Sequence, residues 1–260
     1  MAFSPTARRL VVVENGDQAK MDEGYCSAWE FRLRGGTGLA KGFEDSRQRR
    51  VDSWAISADT DSLFAATNTY DESWSWEVTV RKISYGPFGI FWSQKFEPKV
   101  EGIACSQNGE QFVAFHNTTC TIFDSYGSSG YEVQLWPTIK RASVREWVSS
   151  AFSPDGQWFL VSDDQNFILY RADGSGGWIL SRRDTFATRA AVFSQDSKSF
   201  ALGSLNGTIS IWRFDKDDKF EEHKLLRLPI ESQLRSLTFS PCGRFLATMT
   251  DDEFDVWEMF

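Results

Sequence analysis

The chain has 260 residues, of which 41% are hydrophobic and 25% charged, proportions that exclude disorder, collagen and coiled coil. Aromatics reach 15%, with 22 Phe and 11 Trp, a mix that favours strands over helices. Acids outnumber bases 36 to 28, giving a formal charge of −8. That balance argues against general duplex-DNA binding, which rests on basic patches neutralising phosphates. Local basic clusters, such as Arg182, Arg183 and Arg189, read as solvated loop charge.

Four cysteines, at 26, 105, 120 and 242, form no C-x-x-C pair, and there are two histidines, so ligand spacing points to no zinc site. The opening MAFSPTARRLVVVENG lacks the pattern of a secretory signal, and no apolar run reaches the roughly 18 residues of a membrane span. The expectation is a reducing, cytoplasmic setting, with the nucleus as alternative, and no membrane partner. Asn117-Thr118-Thr119 and Asn206-Gly207-Thr208 then read as turns rather than glycosylation sites.

One pattern recurs along the chain: an apolar pair, Ser, a turn, an apolar run, a polar turn, and another apolar run. It begins as AFSPTARRLVVVENG at Ala2, then WAISADTDSLFAATN at Trp54 and IACSQNGEQFVAFHNTTCTIFD at Ile103. It continues as AFSPDGQWFLVSDDQNFILYRAD at Ala151, VFSQDSKSFALGSLNGTISIWRFD at Val192 and TFSPCGRFLATMTDDEFDVWEMF at Thr238. The anchoring serines are Ser4, Ser57, Ser106, Ser153, Ser194 and Ser240, spaced by 53, 49, 47, 41 and 46 residues. A four-stranded propeller blade repeats at about 40–45 residues.

The fourth copy shows the local physics. Strands are predicted at 149–153, 158–162, 167–171 and 178–182. Pro154-Asp155-Gly156 makes the first turn, because Pro presets φ, Asp bonds nearby backbone and Gly permits positive φ. Other fourth strands are predicted at 90–96, 131–137 and 224–228, and a divergent third strand at 76–83. One such sheet cannot bury both faces, so the unit must repeat.

These residues resemble the WD40 family of β-propellers. The resemblance is carried by the F-S-P-D-G turn at Phe152–Gly156, its relatives at Phe3–Pro5 and Phe239–Gly243, and the strand-final aromatics Trp29, Phe123, Tyr170, Trp212 and Trp257. It covers nearly the whole chain and implies an all-β propeller of about six four-stranded blades. The reading is a single domain over 1–260, with blade motifs starting near 2, 51, 100, 147, 188 and 234. The Trp-Asp pair is missing throughout and the Gly-His pair is absent, so the buried network the family implies is incomplete and aromatic packing must carry more. The chain opens inside a first strand and ends after a third. The expectation is therefore either a three-stranded blade with an open edge or part of a longer propeller.

Chemical motifs fail on inspection. Gly35–Gly42 lacks the P-loop's Lys placement and reads as a loop between strands, and no G-x-S-x-G occurs. His116 and His223 read as turn or surface residues, and Lys216–Glu222 as a solvated loop. The pairs Asp163-Asp164 and Asp251-Asp252 fall in the same hairpin of two copies, where Asp forms turns. No catalytic residue, metal ligand or cofactor is assigned.

The resemblance implies that partner proteins or peptides dock on a top face built from loops entering each first strand. Five positions before the anchoring Ser stand Asp52, Glu101, Val148, Arg189 and Arg235, with Arg145 and Trp147 just upstream in their copy. Arg and Trp dominate interface energetics, so Arg145, Trp147, Arg189 and Arg235, with Asp52 and Glu101 on the acidic side, form the candidate surface. The functional expectation is a non-catalytic interaction scaffold. The alternatives are a C-terminal sensor segment of a larger NACHT-type signalling NTPase and, third, a propeller enzyme.

Overall fold

The computed structural model describes the backbone of the strands given below. With side chains it describes Ala55, Val100 and most residues of 102–124, 149–215, 219–228 and 234–259. All regular structure among the described residues is strand, in two compact units, 1–137 and 138–260.

The first unit holds three four-stranded sheets. They comprise β1 (Ala2–Phe3), β2 (Arg9–Asn15), β3 (Cys26–Arg32) and β4 (Leu39–Asp45); β5 (Arg49–Ile56), β6 (Ser62–Thr69), β7 (Trp76–Lys82) and β8 (Gly89–Phe96); and β9 (Gly102–Cys105), β10 (Gln111–His116), β11 (Thr119–Asp124) and β12 (Gly130–Gln134). The second unit continues with β13 (Ser149–Phe152), β14 (Trp158–Ser162), β15 (Asn166–Ala172) and β16 (Trp178–Thr185), then β17 (Ala190–Phe193), β18 (Ser199–Gly203), β19 (Thr208–Phe214) and β20 (Phe220–Arg227). Its last sheet has three strands, β21 (Leu234–Phe239), β22 (Phe245–Thr250) and β23 (Phe254–Glu258). Every sheet is an antiparallel meander with neighbours in chain order, as short turns between strands require.

The repeated turn is built the same way in the fourth and fifth copies. The Ser153 hydroxyl donates to Asp155 Oδ1 (2.5 Å), while the N–H groups of Trp158 and Gln157 donate to Ser153 Oγ (2.9 Å) and Asp155 Oδ1 (3.0 Å). Ser194, Asp196, Lys198 and Ser199 repeat this arrangement at 2.7, 3.0 and 3.0 Å. Burial pushes the Asp196 carboxyl up, but the Ser194 hydroxyl and Lys198 N–H outweigh it and hold the group below its ordinary value. Among the described residues, the fourth turn residue has positive φ in four copies, and three of them place Gly there: Gly109, Gly156 and Gly243. The fifth copy places Ser197, with φ of 58°. Its hydroxyl accepts from the Asp155 N–H of the preceding sheet at 3.0 Å, an interblade bond that glycine could not supply.

Within the second unit, β13 lies against β17 and β17 against β21, so first strands stack side by side. In the first unit β5 lies against β9. The second strands β14 and β18 are buried at all five positions, and both contribute to clusters shared with a neighbouring sheet of the second unit. Phe167 and Leu169 pack on Phe193, Phe200 and Leu202 of the next sheet; Ile209 and Ile211 pack on Leu234, Leu237 and Leu246 of the one after. The rings of Phe200 and Trp212 stack with centroids 5.9 Å apart and planes 3° apart, and Phe167 meets Phe200 edge-on at 6.1 Å. Complete burial of each such ring is worth about 2–3 kcal/mol.

The missing acid and His leave a visible trace. The Trp257 indole N–H donates to Thr248 Oγ1 at 3.2 Å. In the preceding sheet the corresponding place is Leu202, since Phe200 pairs with Trp212 as Leu246 pairs with Trp257. The Trp212 Nε1 is consequently buried with no acceptor among the described residues.

Two sequence expectations need correction. Lys216–Glu222 is not loop throughout, because β20 starts at Phe220, whose ring packs on Trp212 at 6.0 Å. His223 is an exposed residue of this strand, in keeping with the turn or surface place expected of it. In Gly35–Gly42, residues from Leu39 onward belong to β4, whose pairing with β3 overrides the glycine-rich composition. His116 is the last residue of β10 and pairs with Thr119. Asp163-Asp164 and Asp251-Asp252 lie outside the described residues.

Candidate functional site

Two of the predicted rim residues are brought to neighbouring strands. Arg189 immediately precedes β17, where its N–H donates to Gly203 O at 2.7 Å. Arg235 is the second residue of β21, at a register shift between Leu234 and Ser236, and its side chain is exposed. The bulge adds a residue on one strand and re-aims its side chain. Because β17 lies against β21, both arginines sit at the same end of adjacent first strands. Thr188, buried beside Arg189, donates from its hydroxyl to Phe186 O at 3.0 Å and so ties down the entering loop.

Asp52 occupies the same kind of place in the first unit, at a register shift between Val51 and Ser53 of β5. Counting back from the anchoring serine thus located a repeated bulge. Glu101, Arg145 and Trp147 lie outside the described residues.

Between the fifth and sixth sheets, at the turn end of the blades, lies a cavity of about 250 Å³ lined by Asp196, Lys198, Arg213, Phe214 and Cys242 among others. Sequence reasoning did not single it out. Its signal was Cys242 standing in F-S-P-C-G where Asp155 stands in F-S-P-D-G. Cys242 Sγ lies 3.3 Å from Ser240 Oγ. The Ser240 hydroxyl and then the Arg244 N–H favour the thiolate and lower the thiol's pKa. Among the described residues, no group of three His, Cys, Asp or Glu could hold a metal ion.

A different cation serves packing. Arg182 on β16 holds its guanidinium 4.8 Å from the Trp212 ring centre and 5.3 Å from that of Phe220, and donates twice to Asp184 Oδ2, at 3.1 and 2.5 Å. That bond to Arg182 holds the Asp184 carboxyl below its ordinary value. Arg182 is thus a cap on the aromatic cluster of the next sheet, not a free loop charge.

No protein-family model matches the chain. It is similar to "Periodic tryptophan protein 2" of Arabidopsis thaliana, 28% identical over 107 residues, which is 41% of this chain and 12% of that protein. It is also similar to "Protein HIR1" of Candida albicans, 25% identical over 175 residues, 61% of this chain and 19% of that protein. The chain therefore spans less than a fifth of either relative's length. Among solved structures, the β-propeller domain of Myceliophteria thermophila Cps50 (Swd1) superposes with a TM-score of 0.66 at 12% identity, covering 95% of this chain and 86% of that one. Meander sheets stacked first strand to first strand within each unit, and the likeness to a solved propeller domain, give the chain the β-propeller fold, built from degenerate repeats.

Proposed function

We propose that the chain is a non-catalytic scaffold of the cytoplasm or nucleus, which binds other proteins or peptides through the end of the blades where chain enters each first strand. The observation that carries this reading is the placement of Arg189 and Arg235 at matching ends of β17 and β21. Two guanidinium groups there suit a partner segment that brings carboxylates or backbone carbonyls, which arginine engages with a planar fork of donors. The likeness to WD40-type proteins supports the scaffold reading, and the sequence suggests no nucleophile–base pair that would favour an enzyme.

The test is quantitative affinity capture from native extract, read by mass spectrometry, with the original chain and an Arg189→Ala/Arg235→Ala variant. Partners specific to this surface should drop at least fivefold, the equivalent of about 1 kcal/mol. Equal recovery of every partner by a folded double variant would overturn the assignment.

A further inference from the structure

We propose that the cavity between the fifth and sixth sheets binds a small aromatic acid, a ring carrying a carboxylate on a short arm. Both sheets belong to the second unit, and the preceding junction of that unit shows what fills the same place when the chain supplies it itself. There the Trp158 ring, 4% exposed, lies 4.6 Å from that of Phe214 in the next sheet, and the Arg171 guanidinium lies 5.5 Å from its centre. Ser199 holds the place of Trp158 one copy later. Its N–H donates to Ser194 Oγ as that of Trp158 donates to Ser153 Oγ, and it pairs with Arg213 as Trp158 pairs with Arg171. The same backbone bonding therefore carries a hydroxymethyl group in place of an indole. The facing turn loses bulk too: Ser197, whose hydroxyl bonds Asp155 across the fourth and fifth sheets, gives way to Gly243 across the fifth and sixth. Large-to-small exchange in a packed junction leaves a void where the neighbours do not collapse into it. Ser199, Gly243 and Arg213 all line the cavity of about 250 Å³.

The lining sets the chemistry of the occupant. Phe214 gives an apolar wall, and Arg213 stands in the register place from which Arg171 covers a ring, so an aromatic group suits the void. Lys198 stands where the preceding copy has Gln157 and adds a second cation. Asp196, the acid of the lining, already accepts from the Ser194 hydroxyl and the Lys198 N–H. Two cations beside one carboxylate engaged in its own turn favour a negatively charged ligand. The volume of about 250 Å³ is just under the roughly 300 Å³ at which drug-sized sites begin, which fits one ring and a short arm. Such a group is either a free aromatic acid or an aromatic side chain beside an acidic one in a peptide. The cavity lies at the Ser194 end of β17, opposite Arg189, and is separate from the Arg189–Arg235 surface.

Indole-3-propionate serves as the probe, titrated into the isotope-labelled full chain and read from the amide shifts of Ser199, Arg213 and Gly243. It should bind at least tenfold more tightly than tryptamine, the same ring on a cationic arm. Ser199→Trp restores the ring of the preceding copy, so it should abolish binding and raise the urea midpoint. Lys198→Gln should weaken the acid at least threefold and leave neutral 3-methylindole within twofold, whereas Lys219→Gln, with the same change in net charge, should alter neither. Saturating indole-3-propionate should slow alkylation of Cys242 by iodoacetamide and leave that of Cys105 unchanged. The blocked dipeptide Trp-Asp separates the two sources: tighter binding than indole-3-propionate assigns the site to a partner segment, weaker binding to a free acid. Absence of binding, equal binding of the acid and tryptamine, undiminished binding by Ser199→Trp, or Cys242 alkylation at an unchanged rate would overturn the proposal. Should Ser199→Trp fail to fold, an acid that binds Lys198→Gln as tightly as the original chain overturns it instead.

Discussion

Gly203 ends β18 and faces β21 of the next sheet. A methyl group added there would stand 2.1 Å from Leu234 Cδ2 and 2.8 Å from Leu237 Cδ1, well inside van der Waals contact. Leu234 is fully buried and Leu237 is 8% exposed, so neither can swing into solvent. Gly203→Ala must therefore push the sheets apart or force leucine off its rotamer, a cost of about 1–3 kcal/mol. Alanine also restricts the unfolded chain, which returns about 0.4–1 kcal/mol. The expected net loss is about 1–2 kcal/mol, read as a lower urea midpoint by tryptophan fluorescence at unchanged slope. Leu234→Ala alone should cost about 2–5 kcal/mol by leaving a cavity. Combined with Gly203→Ala it should cost less than the sum, by about 0.5–2 kcal/mol, because each change relieves the other. A Gly203→Ala variant as stable as the original, or strict additivity in the cycle, would refute the packing of β18 on β21 described above.

Two further outcomes follow from the turn. Ser197→Ala keeps the strained φ and deletes the acceptor of the Asp155 N–H, whereas Ser197→Gly deletes the same acceptor and relieves the backbone. The alanine variant should be less stable than the original by about 1–2 kcal/mol, and the glycine variant should be the more stable of the two by about 1 kcal/mol; the reverse order in urea denaturation would show that the positive φ does not strain this turn. Asp184 and Asp196 both have carboxyls held below the ordinary value of 3.8. A carboxylate with a depressed folded-state pKa contributes stability that is complete above its unfolded value and lost as pH falls through the folded one. Thermal stability should thus fall on acidification below about pH 4, and Asp184→Asn/Asp196→Asn should flatten that fall; an unchanged acid slope in the double variant would remove both groups from the account.

The turns and most strands were legible because their chemistry is local. Pro154-Asp155-Gly156 closes over five residues, and β14 was predicted with its observed ends. Legibility failed where long-range pairing competed with composition. The charged run before His223 contains Phe220, and only packing against Trp212 and Phe214 draws that stretch into β20. Leu39–Gly42 reads as loop until β3 pairs with it. Arg182 read as solvated charge because nothing in its neighbourhood of sequence announces the rings it covers, which lie 30 and 38 residues away.

The sequence by itself determined the unit: its period, its turn chemistry, its aromatic load and the absence of a recognisable catalytic motif. Those properties arise from residues within one copy, where bonding partners are a few positions apart. The tertiary structure alone decided which residues of one copy meet which residues of the next. Phe167 and Ile209 hold the same place in adjacent repeats, and each is buried against the sheet that follows its own. Burial is a property of the neighbouring sheet, and Gly203 against Leu234 or Asp155 against Ser197 join residues 31 and 42 positions apart. No local pattern specifies such pairs; they exist only once one blade has settled on the next.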